Sequence, residues 1–276
     1  MDQKDSTLSP VSISDIKDQR SGLSSFVSRK AGKSHLVDED FSAWKERRHF
    51  SDYEESLPKF HNESVKNIID KLPAGARILD YGCGDAAIAL QDIKSKYPYI
   101  ICNGVTYPVD RDQLPRFTDI KVYREDGDTF LNKHKEQYDL IMAVQSIRYS
   151  PDYFATIKKA YRALKPGGIL LIDMVQNASM PLVKNDGSLV NPKSLEFKLE
   201  AENYDVEIKN ISDDRLADFL SYSFAIRKTE DKPTLKLPVK LVVIPEIKMP
   251  IEDRFDTKIP LLGIQMNKIN YVYQLD

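Results

Sequence analysis

The sequence predicts an α/β protein with a doubly wound, mostly parallel sheet, and three observations point there. Short apolar segments alternate with amphipathic ones from about residue 65 to residue 227. Ile169 to Val175 is an almost wholly apolar run, as a strand covered by helices on both faces requires. Between the first strand and the following helix, Asp80-Tyr81-Gly82-Cys83-Gly84 makes a glycine turn, which lets backbone approach a ligand that a Cβ would push away.

In chain order, residues 1–40 are rich in serine and mixed charges with few large apolar residues, so a flexible segment is expected. From Phe41, Trp44, Phe50, Tyr53 and Phe60 are aromatic anchors that either cover a pocket or pack an N-terminal helical extension. Val65, Ile68, Ile69 and Leu72 fall at i, i+3, i+4 and i+7, predicting a helix stopped by Pro73 and Gly75. Strands are expected at residues 76–80, 100–105, 120–123, 140–144 and 169–175, with a helix over 86–97. Ser150-Pro151 reads as a helix start, serine as cap and proline first, with Phe154, Ile157, Tyr161 and Leu164 as its apolar stripe and Lys165-Pro166-Gly167-Gly168 ending it.

Further on, residues 177–192 form a polar loop that is a candidate lid, with Asp186-Gly187 as a turn signal. A helix near 193–202, a strand over 206–211, a short helix near 213–220 and a strand over 222–227 complete the main domain, expected over 41–230. Residues 231–276 remain, with strand-like segments 235–247 and 259–273 that read as an appended β element.

Composition narrows the function. The 276 residues carry 40 Lys plus Arg against 42 Asp plus Glu, a formal charge of -2, so the basic excess that draws phosphate backbones is absent and no nucleic acid is expected. Only Cys83 and Cys102 are present, which suits a reducing compartment. No apolar stretch approaches the ~20 residues needed to cross a bilayer, and the opening Met-Asp-Gln-Lys-Asp-Ser has no secretory character, so a cytoplasmic protein without membrane partners is expected. The four histidines are scattered without ligand spacing, giving a metal site no support. No Asn-Pro-Pro-Tyr or Asp-Pro-Pro-Tyr follows the fourth strand, which weighs against the best-known amino-group methylation of nucleobases, and neither cysteine has the Pro-Cys setting of a covalent cytosine mechanism.

Gly82, Gly84 and Ala87 also satisfy the looser Gly-x-Gly-x-x-Gly/Ala dinucleotide pattern, so a nicotinamide dehydrogenase is the competing reading of the loop alone. Three later features shift the balance: Tyr138-Asp139-Leu140-Ile141, the Arg162-Ala163-Leu164-Lys165-Pro166-Gly167-Gly168 turn, and the apolar strand after it. Together with Asp-x-Gly-x-Gly, in this order and at these separations, they resemble the class I (Rossmann-like) S-adenosylmethionine-dependent methyltransferase family over roughly residues 42–230.

The resemblance implies a seven-stranded sheet with its last strand antiparallel, S-adenosyl-L-methionine as cofactor, and a ligand at the carboxyl ends of the strands where the order reverses. It implies that Gly82, Cys83 and Gly84 pass against the cofactor's amino-acid tail and ribose, while Asp80 offsets its cationic charge. The family usually places an acidic residue at the end of the second strand to accept from both ribose hydroxyls. Here the strand ends in Thr106, which offers one hydroxyl, and Tyr107 follows as a stacking or hydrogen-bonding alternative. The adenine-binding carboxylate after the third strand maps to Asp126, beside Gly127, with Asp128 as the alternative; a solvated turn with Gly127 at positive φ is the plainer reading.

Val144 and Gln145, after the fourth strand, would line the opening where donor meets acceptor. Arg148 and Tyr149 are the catalytic candidates, the first to hold an anionic group and the second to orient or deprotonate one, against plainer readings as a surface ion pair and a packing residue. The expected activity is methyl transfer to an O or N nucleophile, first on a small molecule, second on a protein. A methyltransferase-like module that works through a partner without catalysis remains the alternative.

Overall fold

Runs of residues with no solvent exposure define the centre of the molecule. Ile78, Leu79 and Asp80, then Leu140 to Ala143, then Leu170 to Ile172 are all fully buried, as in strands that helices cover on both sides. The structure, a computed structural model, describes residues 48–106, 117–147, 150, 152–173, 182–183, 192–210, 222–244 and 270–275. The chain divides into two compact units, the larger made of Ser42–Asn177 and Asn191–Pro238, the smaller of Met1–Phe41, Ala178–Val190 and Val239–Asp276.

In the larger unit the strands are β1 (Arg77–Tyr81), β2 (Ile101–Thr106), β3 (Ile120–Arg124), β4 (Tyr138–Ala143), β5 (Leu164–Ile172), β7 (Asp205–Asn210) and β8 (Tyr222–Arg227). They form one seven-stranded sheet in the order β3-β2-β1-β4-β5-β8-β7. β8 runs antiparallel to both neighbours and the β1, β2, β3, β4 and β5 pairings are all parallel. The order reverses between β1 and β4, where Asp80 pairs with Gly104 on one side and Met142 on the other. This is the α/β, doubly wound, mostly parallel architecture the sequence predicts.

The helices are α1 (Phe50–Ser56), α2 (Val65–Asp70), α3 (Ile88–Lys96), α4 (Gly127–Lys133), α5 (Tyr153–Ala163) and α6 (Pro192–Ala201). Phe50 and Tyr53 of α1, Ile68 and Ile69 of α2, and Leu90 and Ile93 of α3 pack with Ile78, Cys102, Leu140, Met142, Leu171 and Ala225 on one face of the sheet. Strand alternation turns Leu79, Ile141, Leu170, Ile172 and Phe224 to the other face, where α4 contacts β2 and α5 contacts β5. α1 is tied to α3 through Asp92, whose carboxylate accepts from the Phe50 amide at 2.9 Å. No helix of the described residues is long and apolar enough to cross a membrane.

The smaller unit contributes β6 (Leu182–Val183), β9 (Val239–Ile244) and β10 (Asn270–Leu275), in the order β6-β10-β9 with β10 parallel to β6 and antiparallel to β9. Strand segments were expected at 235–247 and 259–273, and the strands fall inside or at the edge of those ranges. Trp44, the body of the 177–192 loop and the helix expected near 213–220 lie outside the described residues.

Several boundaries differ from the sequence reading. α5 begins at Tyr153 with Asp152 as its cap, because the Asp152 carboxylate accepts from the Ala155 amide at 2.9 Å, while the Ser150 hydroxyl is engaged with Thr156 at 2.6 Å. β5 starts at Leu164 instead of Ile169. Gly167, at φ 81, makes an irregularity within the strand, and its amide donates to Lys228 O at 2.6 Å. Lys228 secures that segment from the interior: its buried ammonium donates to Leu164 O at 2.9 Å and to Glu136 at 3.1 Å. Helix α4 was missed, because Glu125-Asp126-Gly127-Asp128 carries turn residues that serve here as a helix start.

The cap reassignment has a measurable consequence. Asp152→Ala should lower stability in urea unfolding by about 1 kcal/mol, the usual cost of deleting an N-cap carboxylate. An unchanged midpoint would return the cap to Ser150.

Candidate functional site

β1 delivers Asp80 to the point where the sheet order reverses, and the chain turns at once. The amides of Gly82 and Cys83 both donate to Val105 O, at 2.8 and 3.2 Å, folding the loop over the end of β2. Gly82 sits at φ 88, and a Cβ there would lie 2.3 Å from the Ser146 Cβ, so no other residue fits between β1 and the segment after β4. Ser146 in turn donates its hydroxyl to Tyr81 O. Gly84, at φ 66, faces open space. The Cys83 side chain covers Gly104 of β2, and burial, with Asp80 nearby, pushes its thiol well above its ordinary range.

Asp80 is wholly buried. Its Oδ2 accepts from the Tyr53 hydroxyl of α1 at 2.8 Å, while Oδ1 is buried with no hydrogen-bond partner. Burial pushes the carboxyl up to about 7, and the Tyr53 hydrogen bond, which favours the ionised form, offsets only part of that. The Tyr53 phenol is raised too, by burial first and then by the adjacent Asp80. A buried carboxylate with one bare oxygen is a costly arrangement unless a cation or donor completes it.

Two non-glycine residues in the left-handed region flank this loop. Ala87 (φ 46) precedes α3 with no side-chain cap, and Gln145 (φ 50) follows β4. The Gln145 amide donates to the buried Asp173 carboxylate at 2.6 Å, and its side-chain oxygen accepts from Arg48 Nη2 at 2.7 Å. Such conformations cost free energy of order 1–3 kcal/mol each and are held by surrounding contacts.

The expected site residues therefore divide. Asp80, Gly82, Cys83, Gly84, Val144 and Gln145 gather around the reversal point between β1 and β4. Thr106 ends β2, nearly buried and paired in register with Arg124. Asp126 does not lie in a simple turn: its Oδ1 caps α4, accepting from the Thr129 amide at 2.8 Å and hydroxyl at 2.9 Å. Gly127 is the first residue of α4 and does not have positive φ; the Tyr81 ring lies against it, within 2.6 Å of where a Cβ would stand. Asp128 spends one oxygen on Thr156 and the other on Lys159, each at 2.6 Å, so Asp126 keeps the freer carboxylate. Tyr107, Arg148 and Tyr149 lie outside the described residues.

Sequence reasoning missed the link from Tyr53 to Asp80 and the links from Gln145 to Arg48 and Asp173. Tyr53 was legible only as an aromatic anchor; its partner stands 27 residues away, with no local pattern to pair them.

Residues 49–221 match a family model described as a methyltransferase domain. Among curated relatives, the tRNA1(Val) (adenine(37)-N6)-methyltransferase of Yersinia enterocolitica is 28% identical over 123 residues, 40% of this chain and 47% of that protein. The Yersinia pestis protein of the same name is 29% identical over the same length. The chain thus spans about half the length of the curated relatives it matches. Similar solved structures include Haemonchus contortus phosphoethanolamine N-methyltransferase 2 in complex with S-adenosyl-L-methionine, with 14% identity, TM-score 0.42, and coverage of 67% of this chain and 59% of that one. Another is a SAM dependent methyltransferase from Archaeoglobus fulgidus, with 16% identity, TM-score 0.38, and coverage of 59% and 91%.

The geometry at Asp80 predicts a pH effect on the free protein. Its folded value of about 7 stands above the ordinary 3.8, so the native state holds the extra proton between the two. Stability present below pH 4 is lost as pH rises through about 7, by roughly 4 kcal/mol at most. Asp80→Asn should remove that slope and raise the thermal midpoint of the unliganded protein at pH 8 by several degrees relative to wild type. A midpoint at pH 8 lower than wild type would show the carboxylate to be compensated.

Proposed function

Because the chain belongs to the methyltransferase-domain family, we propose that it transfers a methyl group from S-adenosyl-L-methionine to an oxygen or nitrogen nucleophile, most directly on a small molecule. The observation that carries this reading is the bare Oδ1 of Asp80 beneath a loop whose Gly84 opens onto free space. The residues present fit the cofactor: its amino-acid end bears an ammonium, and a buried carboxylate lacking a donor is the complement of such a group.

Asp80 would hold the ammonium, Gly82, Cys83 and Gly84 would pass along the amino-acid tail and ribose, and Thr106 would reach one ribose hydroxyl. The uncommitted oxygen of Asp126 would receive the adenine amine. When bound, the cofactor supplies a methyl group already activated on a sulfonium. What is left to the protein is alignment, exclusion of water, and removal of a proton from an oxygen or nitrogen acceptor. Arg148 and Tyr149, which follow β4 in the sequence, remain the candidates for holding and deprotonating the acceptor, and Val144 and Gln145 would line the opening where donor meets acceptor.

The tRNA-modifying relatives favour a second reading, methylation of a nucleic acid base. Against it stand the formal charge of -2 and the segment after β4, Val144-Gln145-Ser146-Ile147, which has none of the Asn-Pro-Pro-Tyr pattern of amino-group base methylation. A protein acceptor ranks above tRNA on the same grounds. Radiolabelled methyl transfer, with a metabolite extract and bulk tRNA as competing acceptors, separates the classes.

Calorimetric titration with S-adenosylhomocysteine tests the cofactor reading. Since Asp80 must be ionised to pair with an ammonium, affinity should rise about eightfold between pH 6 and pH 7.5, following ionisation of a group near 7. No heat at millimolar ligand from a folded protein would overturn the proposal.

A further inference from the structure

One buried hydroxyl joins three segments around the candidate site. Thr156, in the first turn of α5, has no exposure to solvent. Its Oγ1 meets Asp128 Oδ1 of α4 at 2.6 Å, Ser150 Oγ at 2.6 Å and Asp152 O at 3.2 Å, and it hydrogen-bonds the Tyr81 phenol at the end of β1. The start of α5 does not need it, since the Asp152 carboxylate already takes the Ala155 amide.

Valence fixes the direction of these bonds. A threonine hydroxyl has one hydrogen and two lone pairs. The hydrogen goes to Asp128, the nearer acceptor and a carboxylate whose other oxygen is paired with Lys159 at 2.6 Å. Both lone pairs then receive protons, one from Ser150 and one from Tyr81, whose phenol is held well above its ordinary range by burial and by the Asp128 charge. A one-way chain results, from Ser150 through Thr156 to Asp128.

Each branch ends close to a group the cofactor reading uses. Tyr81 precedes Gly82, and its ring lies against Gly127. Asp128 stands two residues after Asp126, in the first turn of the helix that Asp126 caps. On the third branch, the Ser150 amide donates to Ile147 O at 2.8 Å, and the neighbouring Ser146 hydroxyl donates to Tyr81 O. The stretch after β4 is thus tied to Tyr81 twice, directly at Ser146 and through Thr156 at Ser150.

We propose that Thr156 is a positioning residue that couples the adenine segment at Asp126 to the acceptor segment after β4. This rests on the cofactor reading above. It adds that the bound donor sets the acceptor segment, through a hydroxyl that touches neither ligand. An adenine amine on Asp126 steadies the first turn of α4, and the chain from Asp128 passes that restraint to Ser150. The coupling is reciprocal in free energy, so an ordered acceptor segment also tightens the hold on the donor.

The test reads amide hydrogen exchange by NMR in the full chain at pH 7.5, free and saturated with S-adenosylhomocysteine. Two amides report: Thr129, which donates to Asp126 Oδ1, and position 150, which donates to Ile147 O. In wild type the ligand should slow both, position 150 by about fivefold or more, the lower end of a usual coupling between sites. Thr156→Val should keep the slowing at Thr129 and lose it at position 150, and Thr156→Ser, which returns the hydroxyl, should restore it. Ser150→Ala, at a partly exposed residue, cuts the same chain without opening the core and should show the same selective loss. Slowing at position 150 that survives Ser150→Ala or Thr156→Val would overturn the inference. So would failure of Thr156→Ser to restore it, a wild type in which Thr129 alone responds, or a Thr156→Val loss at both amides together, as a merely structural threonine would give. A folded wild type in which neither amide responds, with no heat of binding, would instead overturn the cofactor reading.

Discussion

The arrangement depends on one buried carboxylate held at a disadvantage. Asp80 has no exposure to solvent, one hydrogen bond from Tyr53, and one oxygen without a partner. In an interior optimised for stability such a position would hold an apolar residue, as Ile78 and Leu79 beside it do. Its cost is concentrated where the strand order reverses, the place at which open α/β sheets bind their ligands. A group destabilised in the free protein and completed by a cation converts that stored cost into affinity.

Everything near Asp80 serves close approach. Gly82 lets the segment after β4 press against the loop, the hydroxyl end of the Tyr81 ring lies against Gly127, and the Cys83 side chain covers Gly104. Ala87 and Gln145 are both held in the left-handed region on either side of the loop, and Gln145 is fixed there from two directions, by Asp173 and by Arg48. Strain of this kind persists only where neighbouring contacts over-determine it. The α1 segment supplies several of those contacts, through Arg48, through Tyr53 and through its anchorage on Asp92 of α3.

The fold was legible because its signals are local. Apolar runs such as Leu140 to Ala143 and Leu170 to Ile172 are short and bounded by turn residues, which marks them as covered strands, and the glycine turn after Asp80 marks the first crossover. Helix α4 was not legible, since Asp126-Gly127-Asp128 has the composition of a turn and becomes a helix start only because Asp126 reaches the Thr129 amide. The same limit divides the site. Asp80, Gly82 and Gly84 announce themselves by spacing; Tyr53 and Arg48 do not, because their partners lie 27 and 97 residues away and are set by packing. Between Asp126 and Asp128 the sequence favours the first by its place after β3, and the Lys159 and Thr156 contacts, which occupy both oxygens of Asp128, add the physical reason.

The most direct measurement is the titration of the Asp80 carboxyl itself, followed by carbon NMR in protein labelled at aspartate and assigned with Asp80→Asn. The account predicts a midpoint near 7 in the free protein and a fall below the usual carboxylate range once S-adenosylhomocysteine is bound, as its ammonium completes Oδ1. A free-protein midpoint near 4, or one that the ligand leaves unmoved, would contradict it.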